Sequence, residues 1–76
     1  MKQFSISIHS FADIYEFVSL SSQQPFDITV GQAQDISGKS LMAMLGLNFS
    51  QPVLVSANCD DAEFSAFRAA AARFLV

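Results

Sequence analysis

Apolar and polar side chains alternate from the second residue onward. Lys2 to Ile8 reads K-Q-F-S-I-S-I, with Phe4, Ile6 and Ile8 on one face and Gln3, Ser5 and Ser7 on the other. A period of two predicts a half-buried β-strand. His9 and Ser10 end it, and the period then changes. Phe11, Ile14, Tyr15, Phe17, Val18 and Leu20 recur at helical spacing and predict a single apolar stripe on an α-helix. Ser10 fits the N-cap, because its hydroxyl can accept from backbone N–H groups that the first turn leaves unpaired. Asp13, three residues on, suits the positive end of the helix. Ser21 to Pro25 stop it.

Phe26, Ile28 and Val30 alternate with Asp27 and Thr29, which predicts a second strand. Gly31 to Gln34 reads as a turn, and Ala33 to Ile36 as a third, weaker strand, so the two strands form a hairpin. Ser37-Gly38-Lys39-Ser40 leads into Leu41 to Leu47, a short helix capped by Ser40 and apolar nearly all round. Val53-Leu54-Val55 follows Pro52 as a short buried strand, and Asn58 to Asp61 turns the chain. Asp60 and Glu63 have the spacing of a helix cap. Behind them Phe64, Phe67, Ala71, Phe74 and Leu75 lie on one stripe of the longest helix, filled out by Ala62, Ala66, Ala69, Ala70 and Ala72. The order is β-α-β-β-α-β-α in one domain, residues 1–76. The predicted class is α+β, a four-stranded sheet whose apolar face is covered by helices.

Composition narrows what such a domain does. The chain is 51% hydrophobic with eight Phe, which excludes a disordered segment. Its net charge of −3 disfavours nucleic-acid binding, which needs basic clusters. No apolar run approaches the ~18–20 residues of a membrane span, and the alternating start of the chain is unlike a signal peptide, so a cytoplasmic protein is expected. The single Cys59 makes no internal disulfide. Charged residues are 14% against roughly 25% in ordinary soluble domains. Part of the surface is therefore covered by Ser, Gln and apolar groups, which points to a contact surface for a partner or a second copy.

The candidate chemistry is sparse. One Cys and one His are poor material for a metal site, and neither a metal nor a cofactor is expected. Cys59 stands beside Asp60 and Asp61, whose charges disfavour a thiolate. His9 is the one side chain with an ordinary pKa near neutrality, and it precedes a helix N-terminus, where N–H groups can hold a phosphate. No Arg or Lys lies near it in sequence to grip phosphate oxygens, and Asp13 would repel a dianion. An ordinary loop histidine is the competing reading. Ser40 is a second candidate: a phosphate added there would meet the positive end of a helix and could pair with Lys39. Leu41, Met42, Met44, Leu45, Leu47 and Phe49 are a third, because a short helix with so few polar residues exposes some of them.

The stretch from Phe26-Asp27-Ile28-Thr29-Val30 through Gly38-Lys39-Ser40-Leu41-Met42-Ala43-Met44-Leu45-Gly46-Leu47 resembles the HPr phosphocarrier family of the bacterial sugar phosphotransferase system. It is similar to that family's strand, hairpin and K-S-(I/L)-M-x-(V/L/M)-(M/L)-x-L segment. Val53-Leu54-Val55-Ser56-Ala57 and the terminal helix match the family's end, and the element order matches along almost the whole chain. The resemblance implies an open-faced sandwich with a four-stranded antiparallel sheet. In the family a histidine within G-(I/L)-H-x-R-P carries phosphate from enzyme I to enzyme IIA. The corresponding stretch here is Ile8-His9-Ser10-Phe11-Ala12-Asp13. Ser10 falls on the histidine position, Ala12 on the arginine and Asp13 on the proline. Shifted by one residue, His9 takes the histidine position and Phe11 the arginine. Ser40 matches the serine that HPr kinase/phosphorylase modifies in many Gram-positive bacteria, which promotes binding to a transcriptional regulator. Leu41, Met42 and Leu45 match hydrophobic docking positions.

The resemblance, with the arginine and proline of that motif unmatched in either alignment, implies a regulatory or binding module with lost or weakened histidine phosphotransfer; phosphotransferase activity belongs to the alternative reading alone. The module would act through the first-helix N-terminus and the Leu41–Leu47 patch, be switched at Ser40, and could pair as a homodimer. The alternatives are a working phosphocarrier using His9, and a structural or dimerisation domain with neither site active.

Overall fold

The computed structural model describes residues 2–31, 36–47 and 49–75. Alternation in the first segment forms strand β1 (Lys2–Ile6), followed by helix α1 (Phe11–Ser22), strand β2 (Ile28–Val30), strand β3 (Ile36–Ser37), helix α2 (Leu41–Leu45), strand β4 (Val53–Ala57) and helix α3 (Asp61–Ala70). A short 3-10 turn, Ala72–Phe74, closes the order. The strands make one antiparallel sheet in the order β1-β4-β2-β3. The predicted α+β architecture and the β2–β3 hairpin are therefore present. Residues 32–35, which carry most of the predicted turn and the start of the third strand, lie outside the described residues.

Register explains why this sheet has two unlike faces. Phe4 pairs with Val55, Val55 with Val30 and Val30 with Ile36, so one apolar row runs across all four strands. The neighbouring row, Gln3–Ser56–Thr29–Ser37, points to the other face and is polar without charge. Gln3 Nε2 donates to Ser56 Oγ within it (3.1 Å). The apolar face lies under an aromatic cluster. Phe67 of α3 meets Phe4, Phe17 and Phe26 at 5.6, 6.2 and 5.8 Å, and Phe17 meets Phe74 edge-on at 5.8 Å. Such pairs add about 0.5–1.5 kcal/mol each beyond the area they bury.

Several elements differ from the pattern in the sequence. β1 stops at Ile6 and not at Ile8, because Ser7 N–H donates to the Phe74 carbonyl (2.7 Å) while Ile8 remains buried. α1 runs on to Ser22 with Gln23 as its C-cap. Its buried residues are Ile14, Phe17, Val18 and Ser21, the strict i, i+3, i+4, i+7 set. Tyr15 is off that set and 59% exposed; Phe11, at the first helical position, is 60% exposed. α2 ends at Leu45 with Gly46 as C-cap, short of the predicted Leu47. The terminal helix does not continue to Leu75. It breaks at Ala71, and the tighter turn lets Phe74 enter the core while Leu75 turns extended and bridges to Ile6.

Candidate functional site

The β1–α1 loop holds His9 and Ser10 at the start of α1. Ser10 is extended (φ −153°, ψ 165°) and caps the helix, its Oγ accepting from Asp13 N–H at 3.3 Å. Asp13 returns the contact: its Oδ2 accepts from His9 N–H at 3.1 Å. His9 Nε2 lies 3.3 Å from the Ser7 hydroxyl. The loop is thus tied to the first turn by a serine and a carboxylate, and the His9 ring is exposed.

The guanidinium missing from the local sequence arrives from the other end of the chain. Arg73 donates to Asp13 Oδ1 and to Glu16 Oε2, both at 2.7 Å, and its carbon Cζ lies 4.4 Å from the centre of the Phe74 ring. The expectation that no arginine stands near this loop holds along the sequence and fails in space. Asp13 and Arg73 are sixty residues apart, and only the 3-10 turn brings them together.

Ser40 is the N-cap of α2, as predicted, and is half-buried; its Oγ accepts from Ala43 N–H at 3.3 Å. Lys39 does not stand ready beside it. Its Nζ donates to the Gln24 carbonyl at 2.8 Å, just past the end of α1, whose last turn carries no basic residue of its own. A cation at a helix C-terminal end meets the negative pole of the backbone dipoles, so Lys39 has a favourable partner there.

The predicted contact patch divides. Met42 is 82% exposed and Leu45 42%, while Leu41 and Leu47 are half-buried against the core. Met44 is fully buried and belongs to the core, not to a docking surface, because it sits on the face of α2 turned into the protein. Phe11 and Tyr15 are exposed apolar residues that the sequence had placed inside. Their i, i+4 spacing puts them side by side on α1. Cys59 is half-buried, and burial pushes its thiol pKa up, with Glu63 and Asp60 adding to the effect. That keeps it a thiol, in line with its acidic neighbours. Among the described residues no group of three or more His, Cys, Asp or Glu converges on a point, and no helix is long and apolar enough to cross a membrane.

No family model and no curated protein matches the chain. Among solved structures, the crystal structure of HPr-C-His from Thermoanaerobacter tengcongensis matches 88% of this chain and 86% of its own, with a TM-score of 0.67 and 28% identity. The chain has an HPr-like fold. The sandwich, the sheet and the element order expected from the resemblance are present in it. Relative to that HPr-like frame, the His9–Ser10 loop occupies the join of first strand and first helix, and Ser40 the start of the second helix.

Proposed function

We propose that the 76 residues act as one HPr-like regulatory or binding module, related to the bacterial sugar phosphotransferase system, in which histidine phosphotransfer is lost or weakened. The observation that carries this reading is the Asp13 carboxylate. Its Oδ2 occupies the backbone N–H of His9 and so puts a negative charge on the loop, which disfavours a phosphoryl group there. The loop itself supplies no cation. Ser40, in contrast, is held as a helix N-cap, where a phosphate meets backbone dipoles that favour it. In this reading Ser40 is the switch, and the exposed Met42 and Leu45 with half-buried Leu41 and Leu47 form the docking surface. Protein partners of the HPr type (enzyme I, enzyme IIA, HPr kinase, a transcriptional regulator) would meet it in the cytoplasm, and a homodimer could form through the same apolar residues.

Incubation with enzyme I and phosphoenolpyruvate should leave no acid-labile phosphate on the protein, whereas HPr kinase and ATP should add an acid-stable phosphate that Ser40→Ala abolishes. Rapid acid-labile labelling, abolished by His9→Ala, would reverse the assignment. That second reading, a phosphocarrier using His9, is favoured by one observation, the arrival of Arg73 at the first turn of α1. Absence of label from both donors would leave a purely structural role.

A further inference from the structure

The C-terminal turn reaches back over the part of the fold that carries His9. Phe74 is buried against Phe17, its carbonyl takes the Ser7 N–H, and Leu75 bridges to Ile6. Arg73, between the core and α1, uses one nitrogen on Asp13 and another on Glu16. Asp13 in turn uses its second oxygen on His9 N–H. Of the three charged groups, Asp13 is the most covered, its side chain 16% exposed, so it is the fixed member through which the others connect. A guanidinium holding a carboxylate that holds an amide is a chain of charge-assisted bonds, stronger and more directional than neutral ones.

We infer that the C-terminal turn is a clasp on the His9 loop: Arg73 is a positioning residue that acts through Asp13, and the closed clasp is an autoinhibitory contact. While it is closed, Arg73 holds the Asp13 carboxylate against the His9 backbone N–H, and that resident negative charge opposes an incoming phosphoryl group. This inference rests on the proposed reading of the loop as a weakened phosphoryl site, and it adds the reason for the weakness and the residues that lift it.

Two measurements test it on the full chain. Amide hydrogen exchange separates relay from general loosening, because Ser7 and His9 are anchored by different groups. Arg73→Gln should speed exchange at His9 by roughly fivefold, the scale of one exposed hydrogen bond, and leave Ser7, held by the Phe74 carbonyl, unchanged. Arg73→Lys should restore part of the protection. Equal acceleration at both amides, or none at His9, would overturn the relay. The second measurement uses phosphoramidate as the donor. Its P–N bond breaks, neutral ammonia leaves with the electron pair, and the lone pair of a His9 ring nitrogen forms the new P–N bond. Asp13→Asn should raise the rate of His9 labelling severalfold over the unaltered chain, and adding Arg73→Gln to Asp13→Asn should leave that gain in place, because Arg73 acts through the Asp13 carboxylate; loss of the gain would show Arg73 meeting the phosphoryl group itself and would overturn the positioning role. No rise in Asp13→Asn, with its fold intact by circular dichroism, would overturn autoinhibition. Failure of the regulatory reading shows elsewhere, as rapid labelling of the unaltered chain by enzyme I.

Discussion

Met42 and Met44 stand two positions apart on α2 and meet opposite surroundings, one exposed to solvent and one fully buried. Met44→Ala should cost about 2–5 kcal/mol, because it empties a core position that its neighbours cannot fill. Met42→Ala should change stability by less than about 0.5 kcal/mol, and urea unfolding of both variants checks the contrast. The sequence could not separate the two, since Leu41 to Leu47 is apolar nearly all round and offers no stripe. Only the packing of α2 on the rest of the core decides which methionine turns inward. Residue chemistry was otherwise legible at Ser10, Ser40 and Asp60, where short polar side chains precede helices and cap them. At the surface, Lys2 is ion-paired with Asp61, which raises the ammonium pKa and lowers the carboxyl pKa through a hydrogen bond and charge attraction. A lowered carboxyl contributes stability above its ordinary pKa and loses it as pH falls through the lowered value. A raised ammonium contributes below its ordinary pKa and loses that as pH rises through the raised value. Lys2→Met should return the Asp61 carboxyl toward its ordinary range, which a carbon-detected NMR titration reads directly.

Among the elements, α3 is the clearest case of a helix written locally at one end and tertiarily at the other. Its start carries a full capping box: Asp60 accepts from Glu63 N–H at 2.7 Å, and Glu63 accepts from Asp60 N–H at 3.2 Å. Asp60→Ala should therefore cost about 1 kcal/mol, seen as a lower urea midpoint at unchanged slope. Its end was not legible. Ala69 to Ala72 is a run of the strongest helix former, so propensity argues for continuation, yet the chain leaves the α-helix at Ala71. What wins is the burial of Phe74 and the bridge of Leu75 to β1, both long-range. The same break delivers Arg73 to α1, so the part of the candidate site that sequence reasoning missed depends on the boundary that it misplaced. A guanidinium sixty residues away in the chain leaves no local signal.

For the molecule as a whole, the β-α-β-β-α-β-α order and the alternating strands were enough to reach the sandwich, and the solved HPr structure matches it over 88% of the chain. The sheet order was not determined by pattern alone, because β1 pairs with β4 across most of the sequence. A domain of this size holds a small stability, since short chains bury a lesser share of their surface. Against that thin margin the Ser21 hydroxyl matters: it is fully buried on the inner face of α1 and has no hydrogen-bond partner. An unpaired buried hydroxyl costs about 1–3 kcal/mol. Ser21→Ala removes it and improves helix propensity as well. The variant should melt several degrees higher, at about 4–8 °C per kcal/mol for a domain of this length, which scanning calorimetry can check. The native sequence therefore retains room for thermal hardening at a position remote from His9, Ser40 and the exposed methionine, and such a hardened background would let damaging variants at those positions be studied while still folded.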